Sequence, residues 1–340
     1  MKDLFDRCQF GDMTLNSRIV RTGLWESQRE KTGNFTPEIY NRYENLAASG
    51  VGLIITELFS LYPRDVFSKF TNTTNYTRFV REARDLTDLV HIYDVPIFAQ
   101  LGFVQFNKRT EQNISVNDIT TDDIRKIQTD MIINAQKFDL SGFDGIQLGL
   151  GNYYFLSRFI NSNFNTRTDR YGGSTLNRLK IVLEMIKVMK QNTDLHINCR
   201  LNAYDGTNMG MPIEETVEIC RLLEKHGADS LQITRPRSPQ FFTRENTGVN
   251  PLISATERII ENVDIPVILG GGANSQNQIN DLINDTNIDF ISMQRPFVND
   301  TSFLVDWQIE GNGISHCISC NNCYWKKTST CHIRPCNVKP

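Results

Sequence analysis

Residues 142–178 read GFDGIQLGLGNYYFLSRFINSNFNTRTDRYGGSTLNR, and this stretch decides the fold. Its opening, Gly145–Leu150, is a short apolar run bounded by glycine, the pattern of a strand buried on both faces. The chain then turns polar, aromatic and rich in Asn, Arg and Asp. It resumes apolar residues at helical spacing over 176–189. A buried strand that runs into a long, chemically dense loop is the arrangement through which α/β proteins bind ligands.

Seven further runs of the same kind lie outward from it, at 18–24, 51–58, 95–103, 196–204, Ser230–Thr234, 266–271 and 289–293. The segments between them are long enough for crossover helices, with clear helical periodicity over 37–49, 75–93, 122–140, 213–226 and 253–261. Eight β/α repeats closed by parallel pairing make an α/β fold of the (β/α)8 TIM-barrel type. An open doubly wound sheet would more often carry a Gly-rich turn after its first strand, and 21–26 is not one. A hairpin over 8–17, turning at Gly11 and Asp12, is expected to cap the bottom of the barrel. No Pro/Gly/Ser linker interrupts the chain before about residue 310. The expected organisation is a barrel over 1–310 followed by a cysteine-rich tail over 311–340.

With 340 residues, 39% of them hydrophobic, the chain can bury one large core. A formal net charge of -3 gives no electrostatic case for nucleic acid or an anionic membrane surface. No apolar run approaches the roughly 18 residues of a spanning helix. The opening MKDLFDRCQFGD has no apolar h-region, so no signal peptide is expected. Cys8, Cys199 and Cys220 are scattered, and the other five cysteines crowd the last two dozen residues. That placement predicts a cytoplasmic protein with reduced thiols.

Closing the strands brings their C-terminal ends to one mouth: 23–26, 56–58, Gln100, 149–154, Arg200, 270–272, Gln294 and Arg295. The run PVILGGG (266–272) ends in glycines that let a phosphate approach backbone N–H groups, and Arg295 in SMQRPF adds a charge-assisted contact. A plain glycine loop is the competing interpretation. Arg200, in INCRLN, needs an anionic partner, which is either a ligand or a salt bridge inside the barrel. Gln100, in FAQL, offers a donor and an acceptor to the edge of a uracil-like ring.

The motif Asn165, Arg167, Thr168, Asp169, Tyr171, Gly172, Gly173, Ser174, Asn177, Arg178 (N-x-R-T-D-x-Y-G-G-S-x-x-N-R) resembles the same segment of the old yellow enzyme family. These are FMN-dependent NAD(P)H oxidoreductases and include the barrel domain of 2,4-dienoyl-CoA reductase. The resemblance implies bound FMN, with NADH or NADPH as reductant and ping-pong hydride transfer through N5 to an activated alkene, quinone or similar acceptor. It places Gln100 and Arg200 on the flavin ring, with Thr22, Gly23, Leu24 and Trp25 alongside and Glu57 among the cofactor residues. Gly271, Gly272, Gln294 and Arg295 fall at the phosphate. The first strand reads SRIVRTGLWE where one branch has NRxVRSATWE, and Trp25 stands where better-known branches place a Thr or Cys. Gln294 stands where the family usually has glycine.

On the substrate side the family pattern is H-x-x-H or H-x-x-N followed by Gly-Tyr, and this chain reads GLGNYY. Gly149 replaces the first histidine, Asn152 keeps the second carbonyl donor, and Tyr154 matches the proton donor. A half-buried mouth tyrosine is the bland alternative for Tyr154. His91, His196 and His226 read as strand starts or helix ends, which leaves His316 and His332 in the tail to fold over the mouth. The tail itself, HCISCNNCYWKKTSTCHIRPC, spaces Cys317, Cys320, Cys323 and Cys331 as C-x2-C-x2-C-x7-C. Zinc, an iron–sulfur cluster of the dienoyl-CoA reductase kind and free remnant thiols all stay open; the cluster spacing of that branch is not matched residue for residue.

A second function class is an FMN-binding barrel without enone reductase activity, acting as a sensor or partner-binding flavoprotein. Gly149, Trp25 and the basic Lys326 and Lys327 favour it. A Schiff-base lyase or aldolase would want a lysine at a strand end, and none is there. The expected partners are a nicotinamide nucleotide and a small-molecule acceptor, in a homo-oligomer.

Overall fold

The computed structural model describes residues 1–23, 34–62, 73–103, 115–203, 210–235, 252–271, 273–320, 323 and 331. The chain opens with an antiparallel hairpin, β1 (Cys8–Phe10) and β2 (Met13–Leu15), turning through Gly11 at φ +60°. Strands and helices then alternate: β3 (Ile19–Arg21), α1 (Pro37–Ala47), β4 (Leu53–Ser60), α2 (Phe79–His91), β5 (Ile97–Gly102), α3 (Thr121–Leu140) and β6 (Gly145–Leu150). After β6 come two helices, α4 (Phe155–Ile160) and α5 (Thr175–Asn192). The series continues with β7 (His196–Asn202), α6 (Ile213–Lys225), β8 (Ser230–Thr234), α7 (Ile253–Ile260), β9 (Val267–Gly270), α8 (Gln276–Asp285) and β10 (Phe290–Met293). It ends with α9 (Arg295–Asn299) and α10 (Phe303–Glu310).

The eight later strands close a parallel barrel in the order β10–β3–β4–β5–β6–β7–β8–β9. Register places Gly149 beside Arg200, and Arg200 beside Gln232. Helix starts carry the caps that their sequences offer. Thr120 and Asp123 form a reciprocal capping box at α3, and the Ser174 and Ser275 hydroxyls accept N–H bonds at α5 and α8. The apolar stripes of the helices and the outward faces of the strands form one continuous core. No helix of the described residues is long and apolar enough to cross a membrane.

Side chains alternate along each strand, so every second residue faces the lumen, and the lumen is layered. At the bottom, Val20, Leu53, Ile55, Phe98, Ile268 and Phe290 form a separate apolar cluster with Phe10 and Leu15 of the hairpin. The Phe10 ring meets Phe290 edge-on at 4.9 Å and stacks on His196 at 5.3 Å. The hairpin therefore closes the bottom of the barrel, as its sequence predicts. Truncating Phe10 to alanine would cost about 3–5 kcal/mol, because the barrel wall cannot collapse into the gap.

His196 is held by these rings, with its Nε2 2.8 Å from Ser230 Oγ. Burial among apolar rings is the main reason its pKa falls to about 4 from 6.5. Between those two values the unfolded chain takes up a proton that the folded chain refuses. The His196 contribution to stability is therefore complete above about pH 6.5 and declines as pH drops towards 4, by up to about 3 kcal/mol. Urea unfolding at pH 7 and pH 4.5 should show this slope in the native chain and a flatter one in His196→Gln. Equal slopes would remove His196 from the acid response.

Beyond the barrel, the chain returns to it. Ser315 N donates to Asn274 O at 2.7 Å and Gln276 N to Gly313 O at 3.0 Å, which lays residues 313–315 on the loop after β9.

Candidate active site

The mouth is built on three strand ends that lie in register. Gln147 faces the lumen, so Gly149, two residues further along β6, points a bare backbone towards the mouth. By the same alternation Arg200 follows Asn198 into the upper lumen, between Gly149 and Gln232. Gln100 in β5 is buried. Its backbone N–H donates to Thr56 Oγ1 at 3.1 Å and its Nε2 to Gln147 Oε1 at 2.7 Å. Gln100 Oε1 has no protein partner among the described residues.

After β6 the backbone makes a constrained turn. Gly151 packs against the end of β7, where a Cβ would fall 2.9 Å from Asn202 Oδ1. Asn152 and Tyr153 then take left-handed conformations at φ +59° and +55°, unusual for side chains of that size. The turn delivers Asn152 with a buried Oδ1 that no donor of the described residues reaches, and Tyr154 at the head of α4. The Tyr154 ring lies over the glycines of β5 and β6: its Cδ2 is 3.5 Å from the position of a Cβ on Gly149 and 3.9 Å from one on Gly102. The ring occupies ground beside the spot where a histidine would extend.

Around β3 the strand ends are locked together. Thr22 N donates to Met293 O at 3.1 Å, and a Cβ on Gly23 would fall 1.9 Å from Thr56 O, so only glycine fits there. The Gln294 side chain donates to Gly23 O. Glu57 is buried within β4, which runs on to Ser60, with its N–H donating to the Tyr43 hydroxyl at 3.3 Å. Leu24, Trp25 and Gly272, three of the expected cofactor residues, lie outside the described residues.

The expected phosphate end is more constrained than its glycines suggest. Gly271 has φ +74°, and a Cβ there would have only Ser292 O at 4.0 Å, an open cradle. Yet its N–H already donates to Ser292 O at 2.9 Å, so this donor is engaged in joining β9 to β10. Arg295, the first residue of α9, is the cation at this end. Tail thiols gather beside it. Burial raises the pKa of Cys317 and pushes that of Cys323 up to about 11, while Arg295 draws both down by less. Asn299 Nδ2 donates to Cys331 Sγ at 3.2 Å, and Cys320 influences both Cys317 and Cys323. Among the described residues no three His, Cys, Asp or Glu side chains are arranged to hold a metal ion. His316 is exposed, and His332 lies outside the described residues.

The motif at 165–178, later in the long loop after β6, braces the fold. Asn165 Nδ2 donates to Phe159 O and Tyr171 O, and Arg167 donates to Val116 O and Ile119 O while pairing with Asp169. The hydrogen bond from Arg167 is the main cause holding the Asp169 carboxyl below its usual range. Tyr171 donates to Glu184 at 3.0 Å, and Arg178 reaches Ile160 O and Glu215. These motif side chains bind the loop to the segment that leads into α3 and to α4, α5 and α6. They hold Tyr154 and α4 in place from behind.

Gln147, Asn198 and Gln232 escaped the sequence analysis. They form a buried amide layer directly beneath Gln100. The available signal was a polar residue at the centre of runs 145–150, 196–204 and 230–234, each on the lumen side.

A flavin fits what is present. Among the described residues Gln100 Oε1 and Asn152 Oδ1 have no donor, the space at Gly271 is open, and cations stand at both ends. Comparison with known proteins agrees. The family model described as NADH:flavin oxidoreductase / NADH oxidase matches residues 103–310. An NADH oxidase of Thermoanaerobacter brockii is 25% identical over 94% of this chain and 53% of its own length. A 4,4'-dithiodibutanoate disulfide reductase of Rhodococcus erythropolis is 23% identical, covering 94% of this chain and 92% of its own. Among solved structures, a 2-naphthoyl-CoA reductase complex superposes with a TM-score of 0.84 at 17% identity, over 94% of this chain and 54% of that one. The old yellow enzyme homologue of Zymomonas mobilis gives 0.79 at 20% identity, over 93% and 95%. The chain thus spans about half the length of the first oxidase and of the naphthoyl-CoA reductase. With its closed barrel and its match over most of that barrel, the chain belongs to the NADH:flavin oxidoreductase / NADH oxidase family, the oxidoreductases of old yellow enzyme type.

Proposed function

We propose that this chain is an FMN-dependent NAD(P)H oxidoreductase whose second substrate is an activated alkene, a quinone or a similar acceptor. The observation that carries the proposal is the Tyr154 ring over Gly102 and Gly149 at a mouth where Gln100 pairs with Gln147 and Gly149 with Arg200. Bound FMN supplies the two-electron hydride chemistry. Gln100 binds the ring edge, and Arg200 stabilises negative charge that develops there. Arg295 receives the phosphate beside the open space at Gly271, whose own N–H is held by Ser292 O. Asn152, from the start of the loop after β6, orients the acceptor's carbonyl through its amide, and Tyr154 delivers the proton from its hydroxyl. The disulfide reductase among the relatives adds a disulfide to the acceptor classes worth assaying.

Gly149 supports a second reading, a flavin-binding barrel without enone reduction, because one carbonyl donor is missing. The visible spectrum of the purified protein under anaerobic conditions separates the two. Flavin bands that bleach on adding NADH or NADPH are the expected result. Bands that persist favour the binding protein, and no flavin sinks the proposal.

The spacing of Cys317, Cys320, Cys323 and Cys331 keeps a separate metal site in the proposal. Elemental analysis distinguishes its forms: about one zinc per chain, about four irons, or neither for free thiols.

A further inference from the structure

Amide groups look alike in outline, and only their hydrogen bonds say which end is oxygen. In the lumen that orientation can be traced from a fixed point. Leu269 O is a backbone carbonyl and only accepts. Ser292 Oγ donates to it at 3.2 Å, which engages the single hydroxyl hydrogen. Ser292 is then an acceptor for its other neighbour, Gln232 Nε2, at 2.8 Å. Gln232 consequently turns Oε1 inward, where it accepts from Gln147 Nε2 at 2.8 Å and from Thr22 Oγ1 at 3.4 Å. The second hydrogen of Gln147 Nε2 goes to Asn198 Oδ1 at 2.7 Å. Accepting there turns the Asn198 Nδ2 to Ser230 Oγ, to which it donates at 2.7 Å. With both hydrogens engaged, Gln147 can offer Gln100 only its oxygen, and Gln100 Nε2 donates to it at 2.7 Å. All of these side chains are buried.

We infer that Gln147 is a positioning residue for the flavin ring edge, with its polarity set by Ser292 and Gln232. It holds the Gln100 amide so that the carbonyl oxygen and one N–H remain for the ligand. An acceptor beside a donor is the complement of an imide edge, which offers N–H beside C=O. A Gln100 amide turned over would set donor against donor. The inference rests on the flavin reading of the mouth.

The test uses the holoprotein and reads FMN release by the fluorescence of free flavin, with the midpoint potential as a second readout. Gln147→Met, close in volume and without polar hydrogens, should weaken FMN retention about tenfold, the effect of one misdirected buried hydrogen bond. Gln100→Ala should do the same. The double variant should lose about tenfold, not about a hundredfold, because Gln147 acts only through Gln100. Ser292→Ala, at the far end of the chain of bonds, should weaken retention and shift the potential in the native background but not in Gln100→Ala. Additive losses, or a Gln147→Met protein that only melts earlier while holding FMN as before, would overturn the inference alone. A native chain that binds no FMN would overturn the flavin reading and this inference with it.

Discussion

A Gly149→His variant is expected to reduce a cyclic enone with kcat/KM about 10²-fold above that of the native chain. One well-aimed donor to a developing oxyanion is worth about 10²–10³ in rate, and among the described residues Asn152 is the donor assigned to that part. The backbone permits the change. Gly149 is not among the residues with positive φ, and its Cβ would sit at ordinary contact distances, 3.5 Å from Tyr154 Cδ2 and 3.6 Å from Leu101 O. A side chain there follows Gln147 into the lumen and rises beside Arg200. Steady-state kinetics with 2-cyclohexenone and a quinone read the effect, which should be confined to the enone. An unchanged rate with FMN still bound would mean that the acceptor is not one activated by a carbonyl at this position.

Tyr154→Phe should cost about 10²–10⁴ in alkene reduction and leave quinone reduction nearly unchanged. Reducing an alkene places a proton on carbon, which water delivers poorly, whereas a quinone is protonated on oxygen. The Tyr154 hydroxyl has no protein partner among the described residues, so its proton is not committed to a structural bond. The ring also packs over Gly102 and Gly149, and phenylalanine keeps that packing. Stopped-flow reoxidation with each acceptor distinguishes the roles. Equal losses for both acceptors would reduce Tyr154 to a wall of the mouth.

Much of the architecture was legible because burial writes itself plainly into short runs. Gly145–Leu150 and Ser230–Thr234 are strands over the residues expected, each bounded where apolar character stops. Other runs overshoot: 18–24 contracts to Ile19–Arg21, and 196–204 ends as a strand at Asn202. Apolar composition does not mark where ladder bonds end. Helix α4 was missed because FLSRFI is too short to display a period and is embedded in a loop. The glycines at the phosphate end are read from sequence as a cradle, but no sequence pattern reveals that Ser292 O already holds the Gly271 N–H. The loop motif carried the resemblance, while its side chains turn out to brace backbone. The amide layer was invisible for a subtler reason: Gln147, Asn198 and Gln232 belong to three strands far apart in sequence, and only closure brings them together.

Closure also joins the two extremes of the fold, since Ile19 pairs with Ile291 and Phe10 packs on Phe290. On the ribosome, at roughly 5–20 residues per second, β3 and the hairpin emerge many seconds before the strand that completes them. During that interval one edge of β3 has no neighbour, and the aromatic stopper faces water. The nascent chain is therefore most exposed to chaperones, and to mispairing with another copy, just before its last strand is made. A pause in translation ahead of residue 290 would lengthen that interval, and synonymous codon changes there offer a way to alter the yield of folded protein without altering the protein.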